Sequence, residues 1–157
     1  MDKPNLIQIL KKEQIAVLST SDSDGNPHGS TIFFIHDKNL NFFFLTKANT
    51  RKYENITANK RGALTVIFSN QQKTVQAEGI IKEVPRGAEE YHNAILQMSE
   101  KNAKQGGISW PPPLSKMPEA DIVIYKMVVD WLRYSDYSKL DTEVHSQIIP
   151  SSLDTSK

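Results

Sequence analysis

The sequence predicts a mainly β protein of the α+β class, a six-stranded antiparallel barrel with peripheral helices. Two observations predict this fold. Six segments rich in apolar, β-branched and aromatic residues are separated by turn signals, and most follow one another directly, as hairpin strands do. Only two helical segments interrupt them, and a short third helix precedes them. A doubly wound parallel sheet would instead alternate each strand with a helix.

The N-terminal part contains the first helix and three strands. Asp2 is a candidate cap and Pro4 fits a first helical turn, with apolar residues at helical spacing up to about Glu13. An Asp-Gly-Asn-Pro turn and an Asp-Lys-Asn turn then separate three apolar segments, of which the last two form a hairpin. The predicted strands are 15–20, 28–36 and 40–46.

A second helix is predicted from Arg51 to Ala58, because Thr50 has the side chain of an N-cap and Asn59 of a helix stop. Gly79 lies inside a later strand and indicates a bulge or the close approach of another segment. The remaining predicted elements are strands over 62–69 and 73–84, a helix over 88–103 and a last strand over 121–133.

Residues 1–138 are expected to form one domain, followed by a polar C-terminal tail over 139–157 that is poorly ordered at its end. The segment 106–118 reads as irregular because it is rich in Gly and Pro. Trp110 within it is either a lid over a pocket or a packed anchor.

Composition excludes several classes of function. The 157 residues include no cysteine, so a disulfide framework, a thiolate zinc site and a cysteine nucleophile are absent. The four histidines show no ligand spacing, and no metal site is expected. A net charge of +1 argues against coating nucleic acid, and no window of apolar residues is long enough to span a membrane. We expect a soluble cytoplasmic protein.

Two continuous apolar runs, Ile32 to Ile35 and Phe42 to Leu45, lie in the predicted hairpin. A strand with one wet face would alternate, so both faces of this hairpin need cover. One face can fill the barrel interior. A second subunit would cover the other face, which favours a homodimer, and the alternative is cover by the chain's own helices.

Two adjacent cations, Arg51 and Lys52, stand in the first turn of the predicted second helix. The helix dipole disfavours positive charge at this end. Their placement is explained if an anion such as a phosphate binds the free N–H groups there. The alternative is a solvated basic turn.

These residues and their neighbours resemble the pyridoxamine-phosphate-oxidase-like family, the FMN-binding split β-barrels, from about Ile15 to Tyr134. Typical of that family are a strand ending in an aromatic-Thr pair, a Ser/Thr-Arg-Lys helix start, an Asn-Pro-like turn followed by an apolar strand, a Glu-Gly pair and a Trp on the last strand. The matching segments are Leu45-Thr46, Thr50-Arg51-Lys52, Asn59 to Leu64, Val75 to Gly79 and Asp130-Trp131.

The resemblance implies a cofactor site built mostly from the first half of the chain. Arg51 and Lys52 would hold the FMN phosphate, and Leu45 and Thr46 would line its ribityl and phosphate side. Backbone groups of the second strand would meet the edge of the flavin ring. The residues concerned are Ser30, Thr31, Ile32 and Phe33.

The resemblance adds three residues from later strands. Thr74 and Gln76 face the same side of their strand, and one of them would hydrogen-bond the cofactor, from the same or the neighbouring subunit. Trp131 would pack near the flavin or the substrate.

Two departures from the family pattern narrow the function. The true oxidases carry an Arg on the second strand, where this chain has Gly29, Ser30 and Thr31. They also carry an Arg-x-His-Asp-Arg-like segment after the Trp of the last strand, and this chain lacks that segment after Trp131. Pyridoxamine phosphate itself is therefore not the expected substrate, and the pattern is closer to the general-stress-protein branch.

The prediction is an FMN-binding oxidoreductase acting on an undefined small molecule, with no catalytic side chain identified. Two alternatives stay open. One is a non-catalytic split barrel that binds flavin, haem or another ligand, and the other is a reductase that uses a deazaflavin.

Overall fold

The computed structural model describes residues 1–68, 72–103 and 121–138, and the backbone of 145–148. Trp110 and the end of the tail lie outside these residues. The elements in chain order are α1 (Lys3–Leu10), β1 (Ile15–Ser21), β2 (Pro27–His36), β3 (Phe42–Lys47), α2 (Arg51–Ala58), β4 (Arg61–Phe68), β5 (Lys73–Glu83), α3 (Glu89–Ala103), β6 (Ile122–Asp136) and β7 (His145–Ile148). Among the described helices, none is long and apolar enough to cross a membrane.

The strands form the predicted six-stranded antiparallel barrel. Neighbouring strands follow the order β3-β2-β1-β4-β5-β6, and pairing of β3 with β6 closes the ring. The predicted mainly β class with peripheral helices is therefore confirmed. The sequence did not predict β7, which pairs with the last residues of β6 inside the segment expected to be a polar tail.

Some element boundaries differ from the prediction, and neighbouring strands explain the largest difference. Strand β6 continues to Asp136 instead of residue 133, because Lys73 and Thr74 of β5 pair with its last residues. Strand β3 starts at Phe42 instead of residue 40, because Leu40 has a φ of 64° and belongs to the preceding turn. Helix α1 ends at Leu10, one turn earlier than predicted.

Side chains that point into the barrel form the main core. On β1, Ala16 and Leu18 are buried while their neighbours Ile15 and Val17 are exposed, which is the alternation expected of a barrel strand. The inward aromatic residues of β2 and β3 are fully buried, and these are Phe34, Phe42 and Phe44. The rings of Phe34 and Phe42 meet edge to face at 5.5 Å.

Helix α3 covers the outer face of the β2–β3 hairpin. Phe33, Ile35 and Phe43 point outward and are buried against Ala94 and Met98 of the helix. The continuous apolar runs are thus explained by the chain's own helix, which is the alternative to a second subunit. The hairpin therefore no longer supports a dimer.

A β-bulge at Gly79 confirms the interpretation of that residue. Glu78 pairs with Trp131 and Gly79 with Val129, so Asp130 is an extra residue on β6. A Cβ at Gly79 would lie 2.2 Å from the carbonyl oxygen of Val128, so the close approach is real as well.

The bulge reverses the alternation of side chains along β6. Met127 and Val129 point inward before it, and Leu132 points inward after it. Trp131 consequently faces outward, on the same side as its partner Glu78.

Candidate functional site

The start of α2 is fixed by a chain of hydroxyl hydrogen bonds. Thr50 is the N-cap, and its Oγ1 accepts a hydrogen bond from the backbone N–H of Tyr53 at 3.3 Å. The same hydroxyl lies 3.0 Å from the carbonyl oxygen of Lys47 and 2.9 Å from Oγ1 of Thr46. Oγ1 of Thr46 also lies 3.4 Å from the carbonyl oxygen of Lys47, so the two hydroxyls share this acceptor and bond to each other. Thr46 is buried and holds the cap in place.

Two asparagines anchor α2 over the end of β1. The buried Asn55 donates from Nδ2 to Oγ1 of Thr20 at 3.1 Å, and Asn59 donates from Nδ2 to Oγ of Ser21 at 2.8 Å. Neither bond could be predicted from the sequence, because an amide in or at the end of a short helix carries no signal of its partner. These bonds set where the first turn of α2 points.

The first turn of α2 presents four unpaired donor groups. Arg51 is exposed and Lys52 is half-buried, and neither forms an ion pair within the described residues. Burial lowers the pKa of Lys52. The backbone N–H groups of Arg51 and Lys52 also lack an acceptor in this part of the chain. Two cations beside two free N–H groups are the donor set of an anion site.

One acidic residue lies near these cations. The pKa of Asp22, in the turn between β1 and β2, is lowered first by hydrogen bonds from Asn26 and to a smaller degree by the positive charge of Arg51. Both oxygens of Asp22 are engaged within its own turn, where they accept from Asp24 and Asn26. Arg51 therefore keeps donors for another acceptor.

The barrel is split beside the start of α2. Strand β2 pairs with β3 only at Phe34, Ile35 and His36, whereas it pairs with β1 along Pro27–Phe33. Among the described strands, none pairs with one backbone edge of residues 27–33, and we call it the open edge of β2. The chain of β3 diverges on the other side of this gap through Leu45 and Thr46, and α2 starts four residues later.

The predicted residues of β2 and β3 border this split with different orientations. Ser30 shares the inward face with its partner Leu18, while Thr31 points outward beside Val17. The hydroxyl of Ser30 is buried and has no hydrogen-bond partner in the part of the chain that the structure describes. A buried hydroxyl without a partner is costly, so it marks a place where a ligand atom or water fits.

The other residues predicted on these strands contribute less through their side chains. Ile32 is buried in the barrel core, and Phe33 and Leu45 pack in the cluster under α3. Leu45 and Thr46 point to opposite faces of β3, because Leu45 pairs with Ile124 on the outer side. Only the backbone of Ile32 and Phe33 borders the open edge.

Thr74, Gln76 and Trp131 lie on a different part of the surface. A row of paired residues crosses the outside of the barrel from Thr31 through Val17 and Thr65 to Gln76. Three strand spacings separate Thr31 from Gln76, about 14 Å. Within this chain the start of α2 and the split therefore lie together, whereas Thr74 and Gln76 of β5 and Trp131 of β6 lie apart from them.

This outer surface of β1, β4 and β5 is called the open face. It carries three exposed aliphatic side chains, with 48% of Ile15, 40% of Val17 and 65% of Ile67 accessible to solvent. Thr74 pairs with Ile67, and Gln76 pairs with Thr65, so both belong to this face as the sequence predicts.

The split barrel, with unpaired donor groups beside the split, defines a class of protein. The chain belongs to the pyridoxamine 5'-phosphate oxidase family, which matches residues 3–135. No curated protein matches the chain.

Solved structures with this fold have several ligands in their descriptions. An FMN-binding, pyridoxamine 5'-phosphate oxidase-related protein from Nostoc punctiforme is 13% identical, with a TM-score of 0.58 over 94% of this chain and 92% of that one. The haem storage protein HutZ from Vibrio cholerae is 20% identical, with a TM-score of 0.62 over 81% and 89%. An F420 reductase is 23% identical, with a TM-score of 0.62 over 80% and 93%. At these low sequence identities, the structural similarity establishes a shared fold and not a shared ligand.

Proposed function

We propose that the protein binds FMN, with the phosphate at the start of α2 and the ring beside the open edge of β2, and acts as a flavin-dependent oxidoreductase. The observation that carries the proposal is the set of free donors on Arg51 and Lys52 next to a split in the barrel. Membership of the family supports it.

The electrostatics of the helix start favour a phosphate over an empty site. The positive end of the helix dipole and the two cations repel one another, and no described carboxylate pairs with either side chain. A bound dianion removes this repulsion and accepts up to four hydrogen bonds. Each charge-assisted bond is worth about 1.5–3 kcal/mol, less where the partner is exposed, as Arg51 is.

The residues around the split have separate tasks in this proposal. Bound FMN supplies hydride and single-electron transfer. Thr46 and Thr50 hold the first turn of α2 rather than face the phosphate, since their hydroxyls bond to each other. The backbone edge of residues 27–33 and the free hydroxyl of Ser30 offer polar contacts to the ring side.

The proposed site is completed by a second copy of the chain. Gln76 and Trp131 lie apart from the split within one protomer. Gln76 shares the open face with exposed Ile15, Val17 and Ile67, and Trp131 lies on the adjoining outer surface of β6. A two-fold dimer through this face buries the aliphatic residues and carries Gln76 and Trp131 of one protomer toward the split of the other.

FMN titration of the double variant Arg51→Ala/Lys52→Ala tests the phosphate site. We expect affinity to fall by about 2–4 kcal/mol, roughly 30- to 1000-fold, while thermal unfolding is unchanged. Lys38→Ala is the matched control, because Lys38 is an exposed cation in the turn after β2. If the affinity of the double variant for FMN is unchanged, Arg51 and Lys52 do not bind the phosphate and form only a solvated basic turn. Absence of FMN binding by the wild-type protein overturns the proposal.

The absorption spectrum of the purified protein separates FMN from the alternatives. Haem gives a Soret band, and a deazaflavin is distinguished by its fluorescence when both cofactors are titrated. The titration includes a deazaflavin because the donors of Arg51 and Lys52 would bind its phosphate in the same way. Turnover of reduced nicotinamide or of a dye by the loaded protein separates an oxidoreductase from a binding module.

Sedimentation of Ile67→Lys tests the dimer. The substitution places a charge on the open face, and we expect the dimer to dissociate. Leu96→Lys is the control, because Leu96 of α3 is similarly exposed, at 60%, but lies away from that face. Equal sedimentation of Ile67→Lys and the wild type argues against this interface.

A further inference from the structure

Two cavities lie between α3 and the β2–β3 hairpin, away from the proposed FMN site. These adjoining cavities of about 420 and 310 Å³ share Ile35, His36 and Gln97. The smaller one is also lined by Lys11, Glu100 and Lys101. None of the cofactor-binding residues predicted from the sequence lines either cavity.

Lys101 has an unusual environment for a lysine. Its Nζ donates to the carbonyl oxygen of Phe34 at 3.1 Å and lies 4.6 Å from the centre of the ring of the same residue. It also lies 5.9 Å from the ring centre of Phe33. No carboxylate pairs with it within 4 Å in the described part of the chain. Burial lowers the pKa of Lys101 to about 8, although the negative charge of Glu13 opposes the shift.

The charged groups around Lys101 come from three elements. Lys11 stands at the end of α1 and Glu13 in the segment that follows it, Glu100 precedes Lys101 on α3, and His36 ends β2. Burial raises the pKa of Glu13 above its usual value, although the positive charge of Lys101 opposes the rise. Among the described residues, Lys11 and Glu100 have opposite charges, and no carboxylate lies within 4 Å of Nζ of Lys101.

His36 is placed to move a proton in the same cavity. Its Nδ1 lies 3.1 Å from the carbonyl oxygen of Asp37, and because a carbonyl oxygen only accepts, Nδ1 carries the proton. Nε2 then presents a lone pair. Burial lowers the pKa of His36, so the imidazole is neutral at physiological pH.

We propose that this cavity binds small uncharged aldehydes and that the amine of Lys101 forms an imine with them, assisted by His36. The neutral amine attacks the carbonyl carbon, and a C–N bond forms as the C=O π bond breaks. His36 takes one proton from nitrogen and passes it to the alkoxide oxygen, which gives a carbinolamine. The second proton on nitrogen follows the same route to the hydroxyl, which leaves as water as the C=N bond forms. No oxidant is required, and Nζ lies beside the rings of Phe33 and Phe34.

Reductive trapping tests the proposal on the wild-type protein. The protein is incubated with propionaldehyde and cyanoborohydride, and modification of each lysine is followed by peptide mass spectrometry. At pH 7 we expect Lys101 to react at least about tenfold faster than the exposed Lys82 of β5. The rate at Lys101 is expected to level off above about pH 8.

His36→Gln separates proton transfer from binding. This variant keeps a hydrogen-bonding side chain that cannot exchange a proton, so trapping at Lys101 is expected to slow severalfold while trapping at Lys82 is unchanged. Equal rates at Lys101 and Lys82 in the wild type overturn the imine site. An unchanged rate at Lys101 in His36→Gln overturns the role of the histidine. Neither result depends on flavin binding.

Discussion

Replacement of Gly79 by alanine is a direct test of the bulge that orients the end of β6. A Cβ at this position would lie 2.2 Å from the carbonyl oxygen of Val128, 2.9 Å from its carbonyl carbon and 3.0 Å from Cα of Val129. Ordinary contacts between such atoms are about 3.5 Å, so the strands must separate by roughly 1 Å. All three atoms are backbone, and no side-chain rotation relieves the contact.

The cost follows from this geometry. Forcing an extra methyl into a packed core typically costs about 1–3 kcal/mol, and a clash with backbone belongs at or above the upper end. A loss of about 3 kcal/mol corresponds to a fall in Tm of about 6–12 °C for a domain of this size. We therefore expect a clear shift of the urea midpoint, followed by far-UV circular dichroism.

Gly87→Ala provides the matched control. No atom lies within 4 Å of a Cβ built at Gly87, and its backbone is not in the left-handed region. This variant should be unchanged or more stable by about 0.4–1 kcal/mol, because alanine restricts the unfolded chain. If Gly79→Ala and Gly87→Ala unfold at the same urea concentration, the close approach of β5 and β6 is refuted.

Three further predictions concern the core, the anchor of α2 and pH. Phe34→Ala should lose about 3–5 kcal/mol of unfolding free energy in urea titrations, since Phe34 is fully buried; a loss below 1 kcal/mol would contradict the packing. Asn55→Ala should lose about 1–3 kcal/mol, because the hydroxyl of Thr20 loses its buried donor; retained stability would deny that bond a role. Because burial lowers the pKa of His36 below 6.5, the unfolded chain binds more protons, and stability should fall as pH drops from about 7 toward 5. His36→Gln should flatten that part of the pH profile, and an equally steep profile would assign the slope to other groups.

Local patterns were enough to predict the elements that depend on local chemistry. The cap at Thr50 and the bounds of α2 agree with the structure, because a hydroxyl cap and its first turn are set within a few residues. The bulge at Gly79 was visible because few other features place a glycine inside a long β-branched strand.

Features that depend on distant contacts could not be predicted in the same way. The apolar runs in β2 and β3 show that both faces are buried, but they do not show that Ala94 and Met98 of α3 provide the cover. The split between β2 and β3 has no sequence signal, because the residues on both sides remain good strand formers. Lys101 resembles any solvated lysine near a helix end until its contact with Phe34 is known.

Closure of the barrel by β3 and β6 has a consequence for synthesis of the chain. The two strands are far apart in sequence, since Phe44 pairs with Tyr125. Until the last third of the chain leaves the ribosome, β3 and β5 each have one backbone edge without its partner β6. The apolar side chains of both strands are then also exposed beside these edges. Arrival of β6 seals both edges in one step, because it pairs with β5 and β3 at once. Truncated nascent chains are therefore the species of this protein most prone to aggregate.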